Sequence, residues 1–159
     1  MESSVASAEG LDSIERVYRL EADRLWRALF IFSADREVAS EAVAEAFAQA
    51  IRRGGGVRDP RAWVWRTGFR IAAGELKRRS RWVHALPEGR YEDPGIDDEL
   101  RAALGRLPDR QRAAVVLHYY ADASVREIAA RTGMSTLAVR ANLSRGRRRL
   151  KELLGDQHG

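Results

Sequence analysis

The chain has no cysteine among its 159 residues, which excludes disulfides, thiolate metal sites and cysteine nucleophiles. Its three histidines, His84, His118 and His158, stand apart without metal-ligand spacing, and neither a phosphate-binding glycine loop nor a nucleophile motif occurs. These absences argue against an enzyme, a bound metal, a cofactor and a small-molecule substrate. No apolar run approaches the roughly 20 residues of a membrane span. The opening MESSVASAEG is polar rather than basic and then apolar, so neither secretion nor membrane insertion is expected, and the chain reads as cytoplasmic. Proline is scarce too: of four, Pro60 and Pro108 stand where helices would begin, and Pro87 and Pro94 share one short stretch.

What remains is a helix-forming sequence, 45% hydrophobic and 32% charged, with 28 basic against 23 acidic residues. The net charge of +5 is modest, but the basic groups gather after Arg52 and again after Arg140, which suits a polyanion. The expected fold is all-α, with two small helical domains, each with its own core, joined by an acidic linker. Its boundaries are a disordered N-terminus over 1–10, a first domain over 11–81, a linker over 82–98 and a second domain over 99–155.

Apolar residues at Leu11, Ile14, Tyr18, Leu25, Leu29 and Phe32 predict a first helix capped by Asp12 or Ser13. A second, from Glu37 to Arg52, carries Ala39, Val43, Ala46, Phe47, Ala50 and Ile51 on one side and Glu37, Glu41, Glu45 and Gln49 on another. Like charges four residues apart cost a helix a few tenths of a kcal/mol per pair, so the ladder does not serve the helix itself. Either solvation or a basic partner surface would account for it.

Gly54, Gly55 and Gly56 end that helix, and Asp59-Pro60 opens a third in the favoured order of N-cap followed by proline. This helix interleaves Trp63, Trp65 and Phe69 with Arg61, Arg66, Arg70, Lys77 and Arg78, behind a loop bearing Arg58. Aromatic rings stack on unpaired bases while cations neutralise the backbone, so the pattern is that of a single-strand platform. An aromatic at helical spacing is also ordinary core, the blander reading of Trp63 and Phe69. The linker then gathers Glu88, Glu92, Asp93, Asp97 and Asp98 around its prolines.

In the second domain, Leu100, Leu104 and Leu107 mark one short helix, and Pro108 opens another carrying Ala113, Val116, Leu117 and Tyr120. The stretch Ser124 to Leu150 reads as a helix-turn-helix. Ser124 and Glu127 form a capping box, Gly133 supplies the turn, and Ser135 caps the second helix. On that helix Leu137, Val139, Leu143, Leu150 and Leu154 supply a broken apolar stripe. Ser135, Thr136, Arg140, Asn142 and Arg145 are left to meet bases, with Arg147 and Arg148 on phosphates. Arginine pairs with guanine and asparagine with adenine in bidentate geometry.

Leu107-Pro108, Arg112, Tyr119-Tyr120 and Glu127-Ile128-Ala129 in the second half, and Asp59-Pro60-Arg61-Ala62-Trp63-Val64-Trp65-Arg66 in the first, resemble the extracytoplasmic-function sigma factors of bacterial RNA polymerase. The resemblance runs from about Leu11 to Leu154. It implies two partners, core RNA polymerase and promoter DNA, and leaves room for an anti-sigma factor as a third. It further implies that the first domain grips polymerase through Glu41, Glu45 and Gln49. That domain would open the minus-ten element with Arg58, Arg61, Trp63, Trp65, Arg66, Arg70, Lys77 and Arg78. The second would read the minus-thirty-five element as duplex, and the acidic linker would thread the polymerase channel. Ala44 and Arg70 depart from the family, which commonly has glutamine and often asparagine there. The alternative is a sigma-like protein, which Ala44 and Arg70 keep open, or a conventional helix-turn-helix regulator, either binding duplex DNA without melting it; for the conventional regulator the third helix would be superfluous.

Overall fold

Seven α-helices and one 3-10 turn make up the described residues of this computed structural model, with no strand among them. Those residues are 2–82 and 96–158, with side chains described over 8–79 and 96–155. The expected linker residues Glu88, Glu92 and Asp93 lie outside them, as does His84.

Helix α1 (Glu2–Ser33) starts well before Leu11, so Asp12 and Ser13 lie inside it rather than at its cap. Its buried side carries Ile14, Leu25, Leu29 and Phe32. Helix α2 (Arg36–Arg53) is capped by Asp35, which accepts from Glu37 N and Val38 N at 2.9 and 3.0 Å. The same carboxylate pairs with Arg79 of α3 (Pro60–Trp82), so one side chain both starts α2 and ties it to its neighbour. Val38, Ala39, Ala42, Val43, Ala46, Phe47 and Ala50 form the buried face of α2. Ile51, expected on that face, is exposed instead, in the last turn of α2. Asp59 Oδ1 accepts from Ala62 N at 3.1 Å, the expected cap before Pro60.

The remaining helices are α4 (Asp98–Gly105), α5 (Asp109–Tyr119), α6 (Val125–Thr132) and α7 (Thr136–His158). Asp97 and Asp98, expected in the linker, instead begin α4: Asp97 caps it by accepting from Leu100 N at 2.7 Å. Leu104, Leu107, Val116, Leu117, Ile128, Val139 and Leu143 are buried among α4 to α7. The second helix of the helix-turn-helix and the arginine run form one continuous rod. Gly146 lets that rod lie on α5, since a Cβ there would come within 2.7 Å of Val115 Cγ2, a buried and stiff side chain.

The buried residues of both halves make one contiguous cluster rather than the two separate cores expected. Polar contacts accompany the join. Arg112 of α5 donates to Phe32 O at 3.1 Å and stacks on the Phe32 ring, and Arg66 of α3 donates to Ala130 O at 3.3 Å. Burial lowers the Arg112 pKa, a cost of taking a guanidinium out of water that its bonds to the carbonyls of Phe32, Gly105 and Leu107 offset in part.

Candidate nucleic-acid interface

The turn between α6 and α7 is built locally. Ser124 Oγ accepts from Glu127 N, and Glu127 Oε1 accepts from Ser124 N, both at 3.1 Å, completing the capping box. Gly133 takes φ 80°, a left-handed conformation that costs glycine little, and Ser135 Oγ accepts from Ala138 N at 3.1 Å to cap α7. Ser124→Ala should therefore cost about 1 kcal/mol of stability in chemical denaturation. Hydrogen bonds from Ser124 also hold the Glu127 carboxyl below the usual carboxylate range. A depressed folded pKa means stability that is present above the unfolded pKa and lost as pH falls through the folded one. The chain should lose thermal stability as pH drops below about 4. Glu127→Gln, which keeps an acceptor but cannot titrate, should show a smaller acid-induced loss, and equal losses would refute the assignment.

On α7 the structure sorts the expected base readers. Thr136, Arg140, Arg145, Arg147 and Arg148 are exposed, and no partner of Arg140 is found among the described residues. Asn142 is a correction: it is half-buried, donates to Ala138 O at 2.9 Å and lies 3.5 Å from Met134 Sδ, so its amide is turned inward. Arg147 donates to Tyr119 Oη at 3.3 Å and Leu143 O at 3.4 Å. Arg145 lies around the helix from Arg140, lining a groove with Pro108, Gln111, Arg148 and Glu152. Leu137, expected in the apolar stripe, is 76% exposed, and Leu153 takes a buried place on that side of the helix instead. Ser144 and Lys151, which do not stand out in a run of polar residues, also lie exposed on the Arg140 side.

On α3 the expected strand-binding set splits in two. Trp63, Arg66, Arg70 and Lys77 recur at steps of three, four and seven and share a stripe. The Arg53 guanidinium covers the half-buried Trp63 ring at 5.6 Å. Arg66 and Arg70 line a cavity of about 540 Å³ whose walls include Phe32, Phe69, Arg110 and Met134. Arg58 is exposed, and Arg78 pairs with Glu75 at 2.6 Å.

Trp65 and Arg61 face another way. Trp65 is fully buried, so a base cannot stack on it in this conformation, and Phe69 is core as well. Buried Glu21 holds both residues: its carboxylate meets Arg61 Nε at 2.7 Å and accepts from Trp65 Nε1 at 3.2 Å. Above the Trp65 ring, 4.5 Å from its centre, sits the guanidinium of Arg131 from α6. Arg131 is 3% exposed and reaches Glu127 at 3.2 Å, yet its Nη1 has no hydrogen-bond partner; burial lowers its pKa. In sequence, Arg131 shows only an i, i+4 pairing with Glu127, which does not reveal burial.

On α2, Glu41 and Glu45 are exposed and Gln49 is half-buried. Glu45 accepts from Gln49 at 3.0 Å and from Arg52 at 2.9 Å, and these bonds, Gln49 first, hold its pKa down. The acidic ladder is thus partly neutralised by its own helix. No cluster of three or more potential metal ligands and no helix long and apolar enough to cross a membrane occurs among the described residues.

The sigma-70 region 4 family matches residues 97–150, the segment from the cap of α4 into α7. The chain is 29% identical over 160 residues to the ECF RNA polymerase sigma factor SigE of Mycolicibacterium smegmatis, a match covering 91% of this chain and 62% of that protein. It therefore spans less than two thirds of the length of that relative. It is 27% identical over 130 residues to the RNA polymerase sigma factor SigV of Bacillus subtilis, covering 76% and 78% of the two chains. Among solved structures, the fold is similar to sigma factor RpoE in its complex with the anti-sigma factor NepR from Bartonella quintana, with a TM-score of 0.72 and 19% identity over 90% of this chain and 97% of that one. It is also similar to CnrH in complex with the cytosolic domain of CnrY, with a TM-score of 0.69 and 22% identity over 96% and 94% of the respective chains.

Proposed function

We propose that this chain, a member of the extracytoplasmic-function sigma factors, joins core RNA polymerase in the cytoplasm and directs promoter recognition and transcription initiation. One observation carries the reading: a capped helix-turn-helix with an open basic face and a separate aromatic-basic stripe on α3 share one chain. The first suits duplex DNA, the second an unpaired strand. No reaction is assigned to the chain itself; chemistry belongs to the polymerase it joins.

The parts divide as follows. Residues 99–155 read the minus-thirty-five element through Thr136 and Arg140, with Arg145, Arg147 and Arg148 on phosphates. Residues 11–81 serve polymerase and the minus-ten element. Trp63, Arg66, Arg70 and Lys77 hold the melted strand, with Arg58 at its entrance. Trp65 and Arg61 serve instead as supports, since Glu21 binds both. Of the acidic ladder, Glu41 is the member best placed for a basic surface on polymerase, because Glu45 and Gln49 bond each other. An anti-sigma factor is the further partner this reading allows.

Promoter-dependent initiation by core polymerase supplemented with the chain is the test, and its absence across a genomic promoter library would overturn the reading. Tight, sequence-selective duplex binding without polymerase would favour the conventional regulator instead. Trp63→Ala should reduce open-complex formation, followed by permanganate reactivity of unpaired thymines, more than it reduces closed-complex binding. Equal loss of both would return Trp63 to a packing role.

A further inference from the structure

Leu137 is the most exposed large hydrophobic side chain among the described residues, at 76%. It is the second residue of α7, three before Arg140 and seven before Ser144, so all three lie on one side of the helix. That side points to solvent, whereas Val139 and Leu143 carry the packing against the rest of the domain. An isolated exposed leucine is common on protein surfaces. Its position at the start of the helix that enters the groove is what gives this one a role, since the first residues of a recognition helix meet base edges.

A leucine side chain has neither donor nor acceptor. In the major groove, guanine, cytosine and adenine present polar edges, and thymine alone adds a methyl group. Leucine set against a polar edge strips water from it without replacing the lost hydrogen bond, whereas against the thymine methyl it buries apolar surface. We propose that Leu137 is a specificity-determining residue of this chain, selecting thymine by its C5 methyl at a base pair beside the one contacted by Arg140. The inference rests on the duplex-reading role of α7 proposed above and adds a base preference that arginine cannot supply.

The test uses holoenzyme, core RNA polymerase with the full chain, and a pool of promoter duplexes randomised across the upstream element. Wild type should enrich thymine at one position, and Leu137→Ala should lose that enrichment while keeping the preference due to Arg140. On the best duplex, replacing that thymine by uracil removes only the methyl. It should weaken wild-type binding about fourfold, the equivalent of one buried methyl group, and leave Leu137→Ala unchanged. Leu137→Gln, of similar size but polar, should likewise fail to distinguish thymine from uracil. A thymine–uracil difference that persists in both variants overturns the proposal, as does an equal loss on every duplex. If wild-type holoenzyme shows no upstream sequence preference at all, the reading of α7 as a promoter-binding helix fails instead.

Discussion

Trp65→Ala is expected to destabilise the folded chain by about 3–5 kcal/mol, as for other buried aromatic truncations. The indole is fully buried, stacks on Phe69 with ring centres 6.3 Å apart, and donates to the buried Glu21 carboxylate. Truncation leaves a cavity, removes a donor from Glu21 and takes away the ring beneath Arg131. Because Glu21 belongs to α1 and Arg131 to α6, the loss falls on the junction of the two halves. Domains of this size lose roughly 2–4 °C per kcal/mol, so the melting temperature should fall by roughly 6–20 °C. A double-mutant cycle of Trp65→Leu and Arg131→Met, each of which removes the cation–π contact, separates the packing of the ring from its contact with the guanidinium. A desolvated cation–π pair contributes about 2 kcal/mol, and a coupling near zero would mean that the α3–α6 contact does not persist in solution.

Arg140→Ala carries the largest expected functional effect. Its guanidinium is exposed on the face of α7, and no partner is found among the described residues, so a base contact would be made without first breaking an internal one. Losing one bidentate contact costs about 1–3 kcal/mol, roughly 5- to 150-fold in discrimination at one base pair. Arg140→Lys should rescue little, because an ammonium cannot present the paired donors that guanine accepts. Competition between matched and mismatched promoters in single-round transcription measures this ratio directly. A loss that is uniform across sequences and accompanied by a shallower salt dependence would assign Arg140 to a phosphate rather than a base.

Much of this was legible because the deciding interactions are local. Ser124 with Glu127, Gly133 and Ser135 lie within a dozen residues, and each satisfies backbone groups of its own turn. Asp59-Pro60 likewise starts α3 whatever packs against it. The sorting of α3 was a different matter: Trp63 and Trp65 stand two positions apart in a helix with apolar residues on several sides, so periodicity could not say which ring is covered. Asn142 and Leu137 exchanged expected places for a related reason. Asparagine found an acceptor at Ala138 O one turn earlier, and leucine fell on the side of α7 opposite the buried Val139 and Leu143.

The sequence by itself determined that the chain is helical, where each turn and cap of the helix-turn-helix lies, and that cations and aromatics alternate on a second helix. These follow from residue type, spacing and backbone chemistry over a few turns. Only the tertiary structure decided which cations remain open and which are spent. Glu21 and Trp65, and Arg131 and Trp65, meet across 44 and 66 residues of chain. Whether a charge faces water or an indole depends on how whole helices dock, and that is set by the sum of many packing contacts rather than by any motif.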